Sequence, residues 1–320
     1  MKRIAVLTSG GDAPGMNAAI RAVVRASSYY NIEVYGVERG YAGLIEDDMH
    51  MMSRRNVSDT IQRGGTILRT ARCPEFNTYE GRKKAAESLA DRNIDGLVVI
   101  GGDGSFRGAL DFYKDFGVKT IGIPGTIDND LGYTDRTIGF DTAVNTALNA
   151  INNLRDTMSS HDRVVIVQVM GRHSGEIALH AGIAGGAEVI LVPEKPVDFD
   201  EVAAILNRGK AVGKTSGIVV LAEGACPLDE VMTELKARTG LSFRSTVLGY
   251  IQRGGSPTMA DRVLASKLGI RAVELLKANK GGYVVGSKGD DVVEVEIEKA
   301  LAIPPFFDEK LYEQAKMLSL

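Results

Sequence analysis

Short apolar runs rich in β-branched residues recur along the chain, each closed by glycine or another turn former: Ile4–Thr8, Glu33–Val37, Gly96–Ile100, Thr120–Ile123, Val164–Val169, Glu188–Val192 and Gly217–Ala222. Such runs are expected of parallel strands buried on both faces. Between them, apolar positions recur at helical spacing over Asn17–Ser28, Gly81–Arg92, Thr142–Thr157, Ile177–Ala184, Phe199–Val212 and Asp261–Asn279. The alternation predicts an α/β fold with doubly wound, mostly parallel sheets. Strand–helix units restart near Phe140 and a second sheet opens at Val164, so two similar lobes with a cleft between them are expected. The helix from Asp261 is expected to return to the first lobe. Gln62-Arg63-Gly64-Gly65 and Gln252-Arg253-Gly254-Gly255 share a tetrapeptide, too short to establish a duplication.

Composition narrows the function classes. A chain of 320 residues can bury a sizeable core without disulfides. Cys73 and Cys226 lie far apart and form no metal-type cluster, which suits free thiols in a reducing cytoplasm. A formal net charge of -3 leaves no basic stripe for nucleic acid, so anion binding has to be local. Met1-Lys2-Arg3 runs directly into the first strand, too short for a signal peptide, and the most apolar stretch, Ala181–Pro193, is broken by Glu188 and glycines. Neither a membrane nor a nucleic-acid partner is expected. Glycine, at 37 residues, exceeds its usual share of about 7%.

Those glycines cluster where strands end. Thr8-Ser9-Gly10-Gly11-Asp12-Ala13-Pro14-Gly15-Met16-Asn17 passes from the first strand into a helix, a place where bare backbone N–H groups and the helix dipole favour an anion. It has neither the Lys-Ser/Thr ending of a Walker loop nor GxGxxG spacing, and a plain tight turn is the alternative. Gly101-Gly102-Asp103-Gly104-Ser105 repeats the arrangement, with Asp103 able to hold magnesium through water and Ser105 offering a hydroxyl. After Thr120–Ile123 comes Pro124-Gly125-Thr126-Ile127-Asp128-Asn129-Asp130. Were that segment extended, Asp128 and Asp130 would face the same side, a repulsive pair suited to phosphoryl transfer or acid–base work; an Asx-rich turn is the plain alternative. Arg72, Arg163, Arg172, Arg244 and Arg253 stand near strand ends or glycine turns, each alone consistent with a solvated surface charge and together suited to phosphate. His161 and His173 receive no catalytic role; Asp128 is the better base.

Taken in order, the segments Leu7–Asn17, Gly101–Ser105, Pro124–Asp130, Met170-Gly171-Arg172 and Gln252–Pro257 resemble those of the bacterial ATP-dependent 6-phosphofructokinases, over nearly the whole chain. The resemblance implies ATP-dependent phosphorylation of fructose 6-phosphate at its 1-hydroxyl, under allosteric control. By it, ATP would meet Gly11, Arg72, Cys73, Gly102, Asp103, Gly104 and Ser105, and Asp103 would hold Mg2+. Asp128 would be the general base, with Thr126 and Asp130 orienting substrate and metal, and Arg72 and Thr126 meeting the transferring charge. The sugar phosphate would be held by Met170, Gly171, Arg172, Glu223, Tyr250 and Arg253, joined by Arg163 and Arg244 of a neighbouring subunit in a homotetramer. An effector site for ADP or phosphoenolpyruvate would use Arg21, Arg25, Arg54, Asp59, Arg155, Gly186, Glu188 and Lys214. The lobes implied are residues 1–139 for ATP, completed by 257–306, and 140–256 for the sugar phosphate, with a C-terminal helix over 307–320.

Some positions depart from the family pattern. Tyr250 stands where a histidine is usual, Val212 and Ser216 where effector-site cations are usual, and Phe106 where tyrosine is common. NAD kinases and diacylglycerol kinases share a GGDG turn but lack the Thr126–Asp130 signature. Pyrophosphate-dependent phosphofructokinases commonly carry Asp at position 104 and Lys at 125; both are glycine here, which favours ATP. A non-catalytic, two-lobed sugar-binding protein would have little use for acidic residues beside phosphate-cradling glycines.

Overall fold

A computed structural model describes residues 1–319. The first part of the chain forms β1 (Arg3–Thr8), α1 (Met16–Tyr29), β2 (Glu33–Val37), α2 (Tyr41–Ile45), β3 (Met49–Met52) and α3 (Tyr79–Asp91). Next come β4 (Gly96–Gly101), α4 (Asp103–Phe116), β5 (Lys119–Thr126), β6 (Ile138–Gly139) and α5 (Phe140–Ser159). They are followed by β7 (Val164–Val169), α6 (Glu176–Ala184), β8 (Val189–Leu191), α7 (Phe199–Ala211), β9 (Gly217–Ala222), α8 (Leu228–Thr239) and β10 (Phe243–Val247). The chain ends with α9 (Met259–Lys277), β11 (Tyr283–Lys288), β12 (Asp291–Glu296), α10 (Ile297–Ala302) and α11 (Glu309–Leu318).

Two compact units result. The first contains Met1–Ile127, Leu131–Thr142 and Arg253–Pro305; the second contains Asp128–Asp130, Ala143–Gln252 and the segment from Phe306. The crossings therefore fall after Thr142, Gln252 and Pro305 rather than after 139, 256 and 306, and Asp128–Asp130 belong with the second unit rather than the first. The C-terminal helix is α11, shorter than 307–320; Leu320 lies outside the described residues.

In the first unit an eight-stranded sheet runs β12-β11-β5-β4-β1-β2-β3, with β6 paired to β5. Its centre is parallel, and the outer pairs β2–β3 and β11–β12 are antiparallel. Every residue of β4 is buried, the burial that continuous apolar sequence foretells. One core packs Leu97 and Val99 against Phe106 and Phe112 of α4; α9 returns across α1. The second unit has a wholly parallel sheet, β10-β7-β9-β8, whose core joins Ile166, Val219 and Leu221 to Leu206, Val231 and Leu235.

Of the two readings of the acidic segment, extended or turned, the structure has the turned one. β5 continues through Pro124 and Gly125 to Thr126, the chain then bends at Ile127 and Asp128, and Asn129 takes a left-handed conformation with φ of 49°. Asn tolerates that region better than most residues, and the bend voids the rule that positions i and i+2 share a side. Glu188, expected in a strand, lies just before β8. Asp261, in the first turn of α9, is a buried carboxyl that accepts bonds from Gly139 N and Thr142 N, each at 2.9 Å, and from Thr142 Oγ1 at 2.5 Å. It thereby caps the start of α5. Burial pushes its pKa up despite those donors. No helix among the described residues is long and apolar enough to cross a membrane.

Candidate active site

In the first unit, the turns after β1 and β4 close on each other. Ser9 N donates to Ile100 O at 2.9 Å, and a Cβ on Gly101 would lie 2.5 Å from Ser9 O and 2.6 Å from Ser105 Oγ, so only glycine fits there. Gly15 caps α1 at φ 110°, and a Cβ there would reach Ile138 Cγ2 at 2.6 Å. Gly104 is the opposite case. It is exposed in the first turn of α4, and a Cβ would meet nothing within 4 Å. No neighbouring atom therefore covers that side of the helix start, the kind of place where a phosphate group can meet backbone N–H groups.

Arg72 and Cys73 are brought to these turns by bonds remote in sequence. Asn17, buried on α1, donates to Arg63 O and Gly64 O at 3.0 and 3.1 Å and accepts from Ile67 N at 2.7 Å. Thr8 Oγ1 then donates to Arg69 O, and Thr70 Oγ1 to Gly10 O, each at 2.8 Å. Beyond Cys73, Phe76 stacks on Tyr41 with centroids 3.8 Å apart, and Tyr41 OH donates to Ser105 O at 2.6 Å. Burial raises the Tyr41 phenol's pKa, so it stays a donor. Segment 69–76 thus runs from the Gly10 turn to Ser105, with Arg72 exposed. Asn17, Thr70 and Tyr41 were not singled out in the sequence. Only Asn17 carried a signal, by standing inside the first glycine motif.

Arg253 also enters the first unit, where its Nη1 lies 3.3 Å from the position of a Cβ on Gly11. The two shared tetrapeptides meet there: Gly64 packs on Gly255, and Ser256 Oγ donates to Gln62 O at 2.8 Å. Asp103 is partly exposed and paired with Arg107 at 3.0 Å. No group of three His, Cys, Asp or Glu among the described residues could enclose a metal. A single carboxylate nevertheless fits magnesium, which keeps several waters and takes its other ligands from phosphate.

In the second unit, Met170, Gly171 and Arg172 follow β7, and Glu223 follows the neighbouring parallel strand β9. Glu223 N donates to Val169 O at 2.9 Å and Gly224 N to Gly171 O at 3.2 Å, so the two strand ends are tied. Gly171, at φ 124°, has no room for a Cβ against Ser174 O. The carboxyl ends of parallel strands are where ligands bind in open α/β sheets. Arg163 stands at the other end of β7, and Arg244 pairs with Val165 near that same end. β7 separates Arg163 from Met170 by roughly 20 Å. Tyr250 is 79% exposed. Asp128 is half-buried, and Ser174 Oγ donates to its carbonyl at 2.7 Å.

The residues expected to bind an effector form two groups. In the first unit, Arg21 and Arg25 share a face of α1 and line a cavity of about 350 Å³; Arg54 Nε donates to Ser28 Oγ of that helix at 2.8 Å, and Asp59 is left-handed at φ 53°. Burial and the neighbouring Arg25 lower the Arg21 pKa. In the second, Arg155 donates to Gly186 O at 2.8 Å, and the Glu188–Lys214 ion pair, 2.5 Å, lines a cavity of about 330 Å³ with Val212 and Ser216.

The family model described as Phosphofructokinase matches residues 3–276. This chain belongs to the phosphofructokinase family. Across the full length of both chains it is 58% identical to an ATP-dependent 6-phosphofructokinase of Clostridioides difficile, and 58% identical to one of Clostridium tetani. Among solved structures, phosphofructokinase from Saccharomyces cerevisiae superposes with a TM-score of 0.94 at 32% identity, covering 98% of this chain and 50% of the yeast chain.

For a phosphofructokinase, the two discriminating glycines differ in freedom. A Cβ on Gly125 would sit 3.1 Å from Ile100 Cγ2 and Met16 Cε, whereas position 104 is open. Gly104→Ala should therefore keep the fold or stabilise it by about 0.5–1 kcal/mol through helix propensity. Gly104→Asp should weaken ATP binding about tenfold or more by bulk and charge. Urea unfolding of the first and ATP titration of the second check this; unchanged ATP binding would remove Gly104 from the phosphate path.

Proposed function

We propose that the chain is a cytoplasmic, homotetrameric enzyme that transfers the γ-phosphoryl group of ATP to the 1-hydroxyl of fructose 6-phosphate, giving fructose 1,6-bisphosphate and ADP. The carrying observation is the open glycine start of α4 at Gly104, with one carboxylate, Asp103, beside it. The relatives' named activity supports the same reading. Gly11, Arg72, Cys73 and Gly102–Ser105 hold the nucleotide, and Asp103 holds Mg2+, whose charge neutralises phosphate oxygens when bound. Asp128 accepts the proton of the 1-hydroxyl as that oxygen attacks the γ-phosphorus and the bond to the ADP oxygen breaks. Thr126 and Asp130 orient the reactants, and Arg72 meets charge gathering on the equatorial oxygens. Met170, Gly171, Arg172, Glu223, Tyr250 and Arg253 hold the sugar phosphate.

The test is ADP release from ATP with and without fructose 6-phosphate, and, in a second arm with pyrophosphate in place of ATP, the sugar-dependent release of orthophosphate. Sugar-dependent release from ATP alone is expected, and Asp128→Asn should cut kcat by about 10²–10⁴ with little change in nucleotide binding. Phosphoryl transfer from pyrophosphate alone would favour the rival donor, and near-normal kcat in Asp128→Asn would remove the base.

Arg163 and Arg244 serve a neighbouring copy's sugar phosphate. The length of β7 supports this, because one chain's Arg163 cannot reach a ligand held at its own Met170–Arg172. Arg163→Ala and Asp128→Asn enzymes should each be weak, and randomly mixed tetramers should regain about a quarter of the wild-type sites. No recovery after verified mixing would place each site within a single chain.

ADP and phosphoenolpyruvate act at Arg21, Arg25, Arg54, Asp59, Arg155, Gly186, Glu188 and Lys214. With Val212 and Ser216 in place of cations, the site should be functional but weakened, each lost charge-assisted contact costing about 1.5–3 kcal/mol. Effector titrations in Val212→Lys should be about one to two decades tighter than in wild type. Titrations that coincide would show that position 212 lies outside the effector site.

A further inference from the structure

Glu176 opens α6 with a carboxyl that the proposed chemistry does not use. It is 7% exposed, and its Oε1 has no hydrogen-bond partner. Its Oε2 accepts from Asn129 Nδ2 at 3.4 Å and lies 3.8 Å from His180 Nδ1, one turn further along α6. The same short segment holds the neighbouring residue: Glu176 N donates to Ser174 Oγ at 3.4 Å, and Ser174 Oγ donates to Asp128 O at 2.7 Å. Two successive residues, Asp128 by its backbone and Asn129 by its side chain, are thus gripped by the start of one helix. Asn129 is the left-handed residue of the bend. A buried carboxyl with an idle oxygen costs stability that an apolar residue at the start of α6 would not.

We infer that Glu176 is a positioning residue: acting through Asn129, its buried carboxyl keeps the 128–130 bend in the shape that aims Asp128 at the substrate hydroxyl. The inference rests on the reading of Asp128 as the base. The groups facing Glu176 are His180 on its own helix, Asn129 on the bend, Glu194 on the segment after β8, and Asp308 before α11. Burial, with Glu194 and Asp308 adding repulsion, holds the carboxyl above the usual range, while His180 and Asn129 oppose the shift. A neutral carboxyl still offers Asn129 a carbonyl oxygen, and an amide of the same shape can replace it.

The experiment compares sugar-saturated kcat and ATP KM in wild type, Glu176→Ala, Glu176→Gln and Asn129→Gly, the last keeping the left-handed backbone without the amide. Glu176→Ala and Asn129→Gly are each expected to lower kcat about tenfold with ATP KM within about twofold, Glu176→Gln to stay within about threefold of wild type, and the double variant Glu176→Ala/Asn129→Gly to lose no more than either single one. Normal kcat in Asn129→Gly, an equal loss in Gln and Ala, or additive losses would each overturn the inference. Should Glu176→Ala fail to fold, Glu176→Gln and Asn129→Gly decide it alone. An inactive wild type would overturn the base assignment as well; an active wild type with unaffected variants would overturn this inference only.

Discussion

The first unit depends on one close approach, that of the Ser9 carbonyl to Gly101. Any side chain at 101 would lie 2.5 Å from that oxygen and 2.6 Å from the Ser105 hydroxyl, nearer than real Cβ contacts come. Because β1 and β4 are adjacent and parallel, their glycine turns emerge at the same sheet end. Glycine at 101 lets them close to contact. The consequence is a continuous stretch of backbone, Gly10 to Ser105, from which N–H groups and a helix start can face one anion. Everything that follows on that side, including the docking of segment 69–76 by Thr70 and Tyr41, is fastened to this pair of turns.

Much of the architecture was legible in the chain because its signals are local. Buried parallel strands read as apolar runs, and the ends of β2, β7 and β9 fall where those runs end. Three strands without such a run are edge strands of mixed burial: β3 and β10 alternate burial irregularly, and β12 is mostly intermediate in exposure. The hairpin β11–β12 did carry a signal, Gly289-Asp290 between two alternating runs, which is a two-residue turn motif. α2, α4, α8 and α10 have no counterpart among the helical patterns of the sequence, and α4 opens directly out of a glycine turn.

The candidate site was legible as motifs but not as geometry. Glycines after a strand announce a phosphate-type turn by residue type alone, although the contact that demands glycine at 101, the Ser9 carbonyl, is remote in sequence. Asp128 announces a carboxylate, but not the left-handed Asn129 beside it, since the bend is held by Ser174 and Glu176 from far along the chain. Likewise nothing near Asn17 reveals that its amide fastens Ile67, nor does anything near Tyr41 point to Ser105. Long-range side-chain to backbone bonds have no periodicity, so no pattern in the sequence displays them.

Four carboxyls of the two units differ in solvation. Asp103 and Asp128 are partly exposed. Asp261 and Glu176 are buried, where charge is costly and both pKa values rise. A buried carboxyl is useful for its oxygens rather than its charge, as two acceptors set by a rigid helix. Asp261 spends them on the unpaired N–H groups at the start of α5, and Glu176 spends one on Asn129. The bend at Asp128 is thus half-buried, while Glu176, which bonds the amide of its neighbour Asn129, lies buried at the start of α6.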